Sequence, residues 1–370
     1  MSRAFSLKIF TARNRVSGIE PLLPHSDIKP LLHNHDVKDA QLLLPAVFSL
    51  CAYAQGSAAW AALTTAQGLP LDPKEHAARA AMVALESVQE TMRSLVFALP
   101  ESQRTAEMMN RFAQTWRESN AFLTILQQAV RKNPPDLEDI AQQSVLELWD
   151  SFCLNYVFGV SSRAWLAQVK DPCFADLPET PVLQWLRQML QEAPLLGDIA
   201  LCPLPMESFA QGKLAWRALV SSPYEVGAHR RVEHHPVMQW LMDRYGIGLI
   251  TRFMARLFDT AQTLIALSES QDLSDWICVY PFAGNFAVAT VETARGLLLH
   301  RAQTQNKKIA AYNICAPTDW NLNKYGALST LLKKSAINKD KLYRHATWLV
   351  QALDPCVPFT LEIEEVTRRA

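Results

Sequence analysis

The chain has 370 residues, enough for one large core or two modest ones. Hydrophobic residues make up 49% and charged residues 19%, the balance of a folded chain rather than a disordered one. Lys and Arg number 36 and Asp and Glu 36, so the net charge is zero and electrostatics give no reason to bind nucleic acid or an anionic membrane surface.

The opening stretch, MSRAFSLKIFTARNRV, lacks the apolar segment and small-residue site of a secretory signal. No apolar run of about 18 residues occurs anywhere, which sets the expectation of a cytoplasmic protein. Residues 1–36 read as an irregular arm, because Pro21, Pro24 and Pro30 interrupt any period. From Asp39 to Ala66 the chain is apolar and alanine-rich, which predicts a buried helix or two abutting helices around Cys51. Amphipathic helices are expected over 73–97 and 101–131, the second ended by Lys132-Asn133-Pro134-Pro135. Another, over 137–158, carries Ile140, Leu146, Trp149, Phe152 and Cys153 on a broad apolar stripe.

Residues 160–235 are richer in proline and offer only short helices, near 179–193 and 207–219, as an insertion or interdomain segment would. Pro236 then opens a long helical period through Met242, Leu249, Phe253, Leu257, Ala261 and Leu264. A β-hairpin is expected from 295–303 and 308–316 around Thr304-Gln305-Asn306-Lys307. Short helices over 325–334 and 340–353 lead to Asp354-Pro355-Cys356. The class is mainly α with a small β component, and the expectation is a single domain over 1–370.

The seven cysteines, at 51, 153, 173, 202, 278, 315 and 356, are too scattered for a disulfide framework. Cys153, Cys173, Cys202, Cys278 and Cys315 read as structural thiols, and His300 as a residue that fills the hairpin. The run His229-Arg230-Arg231-Val232-Glu233-His234-His235 reads as a solvated loop, since no cysteine or carboxylate completes a zinc pattern. No serine elbow, phosphate loop or paired general acid and base appears, so no enzyme activity is expected.

Two segments about 300 residues apart carry the remaining information: Leu44-Pro45-Ala46-Val47-Phe48-Ser49-Leu50-Cys51-Ala52-Tyr53-Ala54-Gln55-Gly56, and Asp354-Pro355-Cys356-Val357-Pro358-Phe359. Between them lie Glu292-Thr293-Ala294-Arg295-Gly296 and Pro317-Thr318-Asp319-Trp320-Asn321. Each cysteine alone reads as a buried thiol. Together and in this order, the segments resemble the large subunit of nickel–iron hydrogenases, whose long-helix core the chain is then expected to share. The clear resemblance covers about 45–65 and 284–356.

The resemblance implies that Cys51 fits the second cysteine of the family's first motif and Cys356 the first cysteine of its last. Phe48 and Phe359 stand at the other two thiolate positions, Gln55 at the first motif's histidine, and Glu362 at the histidine where precursors are cut. Phenylalanine has no lone pair for a metal, so no nickel is expected. If 48–55 were helical, Phe48, Cys51 and Gln55 would share one face. The Phe48-Ser49-Leu50-Cys51 segment and the length resemble hydrogenase expression and formation proteins of the HupK or HoxV type. That likeness implies a scaffold on which an iron with cyanide and carbon monoxide ligands rests transiently at Cys51 and Cys356, Arg295 donating to the cyanides. Its partners would be maturation chaperones and the hydrogenase large-subunit precursor. The alternative is a metal-free interaction protein that mimics the precursor.

Overall fold

A computed structural model describes residues 5–12, 15–22, 29–48, 51–167, 179–205, 222–335 and 339–366. In chain order the elements are β1 (Phe5–Ala12), β2 (Arg15–Leu22), α1 (Lys29–Leu32), α2 (Val37–Val47), α3 (Ala52–Ala66), α4 (Pro73–Ala98), α5 (Ala106–Ala129), α6 (Leu137–Ala141), α7 (Ser144–Cys153), α8 (Ser162–Leu166) and α9 (Pro181–Glu192). Then come β3 (Cys202–Pro203), β4 (Tyr224–Glu225), α10 (Ala228–Val232), α11 (Pro236–Tyr245), α12 (Leu249–Ser268), β5 (Ile277–Phe282), β6 (Phe286–Thr293), β7 (Gly296–Gln305) and β8 (Lys308–Cys315). The last are α13 (Pro317–Leu322), α14 (Ala327–Lys334), α15 (Leu342–Ala352) and β9 (Phe359–Glu365). Helices predominate and the sheets are small, the expected class.

The chain forms two compact units. The terminal unit comprises Met1–Ser26, Gln188–Ala255 and Ala316–Ala370, and the middle unit Asp27–Arg187 and Arg256–Cys315.

In the middle unit, α3 is the axis. Residues 54–63 are all buried, and most are alanine, glycine or serine. Small side chains let α2 come close: a Cβ on Gly56 would lie 2.8 Å from Cγ of Pro45. The antiparallel sheet β5-β6-β7-β8 and α4 pack on α3 as well. Helix α4 begins with Asp72 accepting from the Glu75 amide, and it stays buried from Ala78 to Met92. Beyond it, Phe112 of α5 meets Trp149 and Phe152 of α7 at ring-centroid distances of 6.3 and 5.8 Å. The Trp149 indole donates to Ser119 Oγ at 3.1 Å.

In the terminal unit, β1 lies between β2, antiparallel, and β9, parallel. Phe5, Leu7 and Ile9 are fully buried on one face. Arg252 is buried against Glu225, 2.7 Å away, and also donates to the carbonyls of Gly197 and Ile199.

Several expectations need correction. In place of the irregular arm expected over 1–36, the described residues 5–12 and 15–22 form the paired strands β1 and β2; the alternation of Phe5, Leu7 and Ile9 outweighs the later prolines. Two strands before the expected hairpin, β5 and β6, complete a four-stranded sheet. The helix opened by Pro236 is broken: Gly246 has φ +64, and a Cβ there would strike the Asp198 carboxylate, so the period resumes only at Leu249. The basic run is a loop only in part: its first four residues lie in α10, with His229 buried 3.3 Å from Met242 Sδ, and Glu233, His234 and His235 form the expected turn before α11. The helix expected near 207–219 lies outside the described residues.

Truncating Trp149 to alanine removes the centre of the α5–α7 aromatic cluster and strands Ser119. A loss of about 3–5 kcal/mol is expected in urea unfolding, against about 1 kcal/mol for Ser119→Ala.

Candidate functional site

Helix α2 ends at Phe48, whose φ of −107° and ψ of 116° are extended, and α3 begins only after Cys51. Phe48, Cys51 and Gln55 therefore do not share one helical face. Pro45, inside the last turn of α2, brings that helix to its end. The break leaves Cys51 half-buried at the N-cap of α3. Its backbone carbonyl accepts from the Gln55 amide at 2.9 Å, and the Gln55 side-chain amide lies 3.7 Å from its sulfur.

From Gln55 the contacts run into the sheet. Gln55 Oε1 lies 2.8 Å from His300 Nε2, and His300 Nδ1 lies 2.7 Å from the Tyr312 hydroxyl. His300 of β7 and Tyr312 of β8 are near-neighbours across the hairpin, the register placing Ala302 opposite Tyr312. All three side chains are buried. Burial holds the imidazole down to about 3, so the ring is neutral, and pushes the Tyr312 phenol well above its usual range.

The first turn of α3 borrows its cap from α4. Glu86 Oε1 accepts from the Tyr53 amide at 3.0 Å and Oε2 from the Ala54 amide at 2.8 Å. Burial pushes this carboxyl up to about 8, against the pull of the two amides, and Glu90 nearby adds to the rise. One helical turn on, Glu90 takes Arg295 at 2.6 Å, with both side chains 4% exposed, and Arg93 at 3.0 Å. Arg295 sits in the two-residue turn between β6 and β7, where Thr293 Oγ1 accepts its amide and Gly296 has φ +124. Its guanidinium is thus engaged by a carboxylate that the sequence pattern did not reveal.

The terminal unit holds the other cysteine. Cys356 is half-buried, and its sulfur lies 3.2 Å from the Thr318 hydroxyl at the start of α13. Phe359 opens β9 opposite Phe5, and Glu362 faces Lys8 at 3.4 Å. Each unit therefore joins two of the sequence segments: Cys51 with the hairpin of Arg295 and His300 in one, Cys356 with the Pro-Thr segment in the other. Cys153 and Cys315 are buried, Cys278 is half-buried, Cys202 is exposed, and Cys173 lies outside the described residues. Among the described residues, no group of three or more His, Cys, Asp and Glu side chains is placed to hold a metal ion. Among them, no helix is long and apolar enough to cross a membrane.

No family model matches the sequence. The fold is that of the nickel–iron hydrogenase large subunit. The chain is similar to the nickel–iron–selenium hydrogenase of D. vulgaris Hildenborough in its reduced state, with a TM-score of 0.57, 14% identity and 94% of each chain covered. The enzyme of Dm. baculatum after crystallization under air gives 0.57 at the same identity.

In sequence the chain is similar to proteins named hydrogenase expression/formation proteins. It is 25% identical to HupK of Rhizobium leguminosarum, over 99% of this chain and 95% of that one. It is 26% identical to HoxV of Cupriavidus necator, over 99% and 98%.

The raised Glu86 carboxyl makes a pH prediction. A folded value above the unfolded one stabilises fully below about 4.5 and is lost as pH rises through about 8. Over that window wild type should lose roughly 5 kcal/mol relative to its own acid-side stability through this group. Glu86→Gln should lack that share of the slope; urea unfolding of both proteins across the window measures it, and parallel curves would refute the burial of the charge.

Proposed function

We propose that the protein is a maturation scaffold for nickel–iron hydrogenases: it takes up an iron carrying cyanide and carbon monoxide through Cys51 and hands it to the hydrogenase large-subunit precursor. Hydrogenase maturation chaperones are the partners that would deliver or collect this cargo. The observation that carries the reading is the setting of Cys51, a half-buried sulfur at the break between α2 and α3 with a side-chain amide beside it. Buried structural thiols such as Cys153 have no such opening.

The donor set fits this cargo better than it fits nickel. Thiolate is a soft, charged ligand suited to iron, and the diatomic ligands fill much of the metal's shell themselves. Phe48 and Phe359 supply no donor, so nickel would lack half of its thiolates. Cys356, with the Thr318 hydroxyl at its sulfur, is the second candidate ligand. Arg295 would donate to cyanide nitrogens by sharing a guanidinium already held by Glu90.

That same Glu90 pair favours a second reading on one point. An arginine neutralised within its own unit has a structural role without any cargo, as a metal-free mimic of the precursor would require.

Infrared spectroscopy separates the two. Protein purified from hydrogenase-producing cells should show cyanide and carbon monoxide bands, lost in Cys51→Ala and weakened in Cys356→Ala. A band-free wild type, with hydrogenase maturation intact in Cys51→Ala cells, would establish the metal-free reading instead.

A further inference from the structure

The geometry points to Gln55, His300 and Tyr312 as positioning residues that hold an amide N–H against the sulfur of Cys51, so that a thiolate bound to iron always meets a hydrogen-bond donor. This rests on the reading of Cys51 as the iron ligand.

The three side chains form one buried file: Tyr312 hydroxyl to His300 Nδ1, 2.7 Å; His300 Nε2 to Gln55 Oε1, 2.8 Å; Gln55 Nε2 to Cys51 Sγ, 3.7 Å. Relative exposures are 3% for Tyr312, 0% for His300 and 1% for Gln55, so water does not compete for these groups. A neutral imidazole has one donor nitrogen and one acceptor nitrogen, which allows the file to run in only two directions.

In the first direction the phenol donates to Nδ1, Nε2–H donates to the Gln55 carbonyl oxygen, and the Gln55 amide donates to sulfur. Each link of the file then pairs one donor with one acceptor, and the phenolic proton is satisfied. In the second direction Nδ1–H donates to the phenol oxygen, the Gln55 amide turns over to donate to Nε2, and its carbonyl oxygen faces the sulfur. The phenolic proton is then stranded, because His300 is the hydrogen-bond partner of Tyr312 among the described residues. A buried donor without an acceptor loses its hydration and gains nothing in return, so this direction is disfavoured. The second direction also sets an oxygen lone pair against sulfur, which is tolerable only for a protonated thiol and repels a thiolate.

Tyr312, far along the file from the sulfur, thereby selects which face of the Gln55 amide Cys51 meets. The consequence is electronic. A hydrogen bond to a metal-bound thiolate withdraws charge from sulfur and so from the metal. Iron that donates less into its cyanide and carbon monoxide ligands has stiffer diatomic bonds. The file would hold the iron unit in that less electron-rich state, with a sulfur that releases the metal more readily than an unassisted thiolate.

Nitrogen NMR of the imidazole in the full-length protein, free of cargo, tests the direction without any substitution. The proton of His300 should reside on Nε2; a proton on Nδ1 in wild type overturns the inference. In cargo-loaded protein, the infrared bands should move to lower wavenumber in Gln55→Met and in Tyr312→Phe, and the double variant should move them no further than Gln55→Met alone. Bands shifted by Gln55→Met but unmoved by Tyr312→Phe would overturn the role of the file while leaving the scaffold reading standing. If wild type carries no bands, the scaffold reading fails, and the His300 proton still decides the direction of the file.

Discussion

Helix α3 is buried on every side, and that single constraint organises the middle unit. An all-round buried helix must present small residues so that neighbours can approach its backbone, and Ala54, Ala58, Ala59, Ala61 and Ala62 do so. It must also settle every polar group it carries into the interior. The amides of its first turn have no partners within the helix, and α4 meets two of them with the Glu86 carboxyl. The one long polar side chain near its start, Gln55, is met by His300 from the sheet. The features around Cys51 thus follow from burying a helix end.

The same burial explains why charge is concentrated on one stripe of α4. Glu86 and Glu90 are one turn apart and share a low-dielectric setting, so both cannot be ionised cheaply. Arg295 and Arg93 neutralise Glu90, and Glu86 is left to rise. Removing Arg295 would leave the buried Glu90 carboxylate with only the partly exposed Arg93 as its counter-charge, which costs more than the net worth of the pair. Arg295 therefore has a structural duty whatever else it touches.

Much of the helical frame was readable from periodicity: α4, α5, α14 and α15 lie close to their expected spans, and the gap at Cys51 falls between two abutting helices as the composition suggests. Other elements escaped for physical reasons. Strand β6 is buried along nearly its whole length and so lacks the alternation that marks a half-exposed strand. Strand β5 contains Pro281, which an edge strand accepts and a sequence reading takes as a break. The partners at the candidate site were out of reach altogether. Gln55 and His300 are separated by 245 positions and Glu90 and Arg295 by 205, and no local pattern records which of many buried polar residues will meet.

The parallel pairing of β1 with β9 has a temporal side. Residues 5–11 bond to residues 359–365, so the inner strand of that sheet waits for nearly the whole chain to be made before its second edge is covered. The hairpin of β1 and β2 can form at once, whereas loop closure over such a separation is slow and leaves an open edge meanwhile. Cys356 lies three residues before β9 begins, so its segment is tied down in that same late step. Synthesis itself thus imposes an order on the two sulfurs: Cys51 and the file of Gln55, His300 and Tyr312 beside it have all been made while the Cys356 segment is still to emerge from the ribosome.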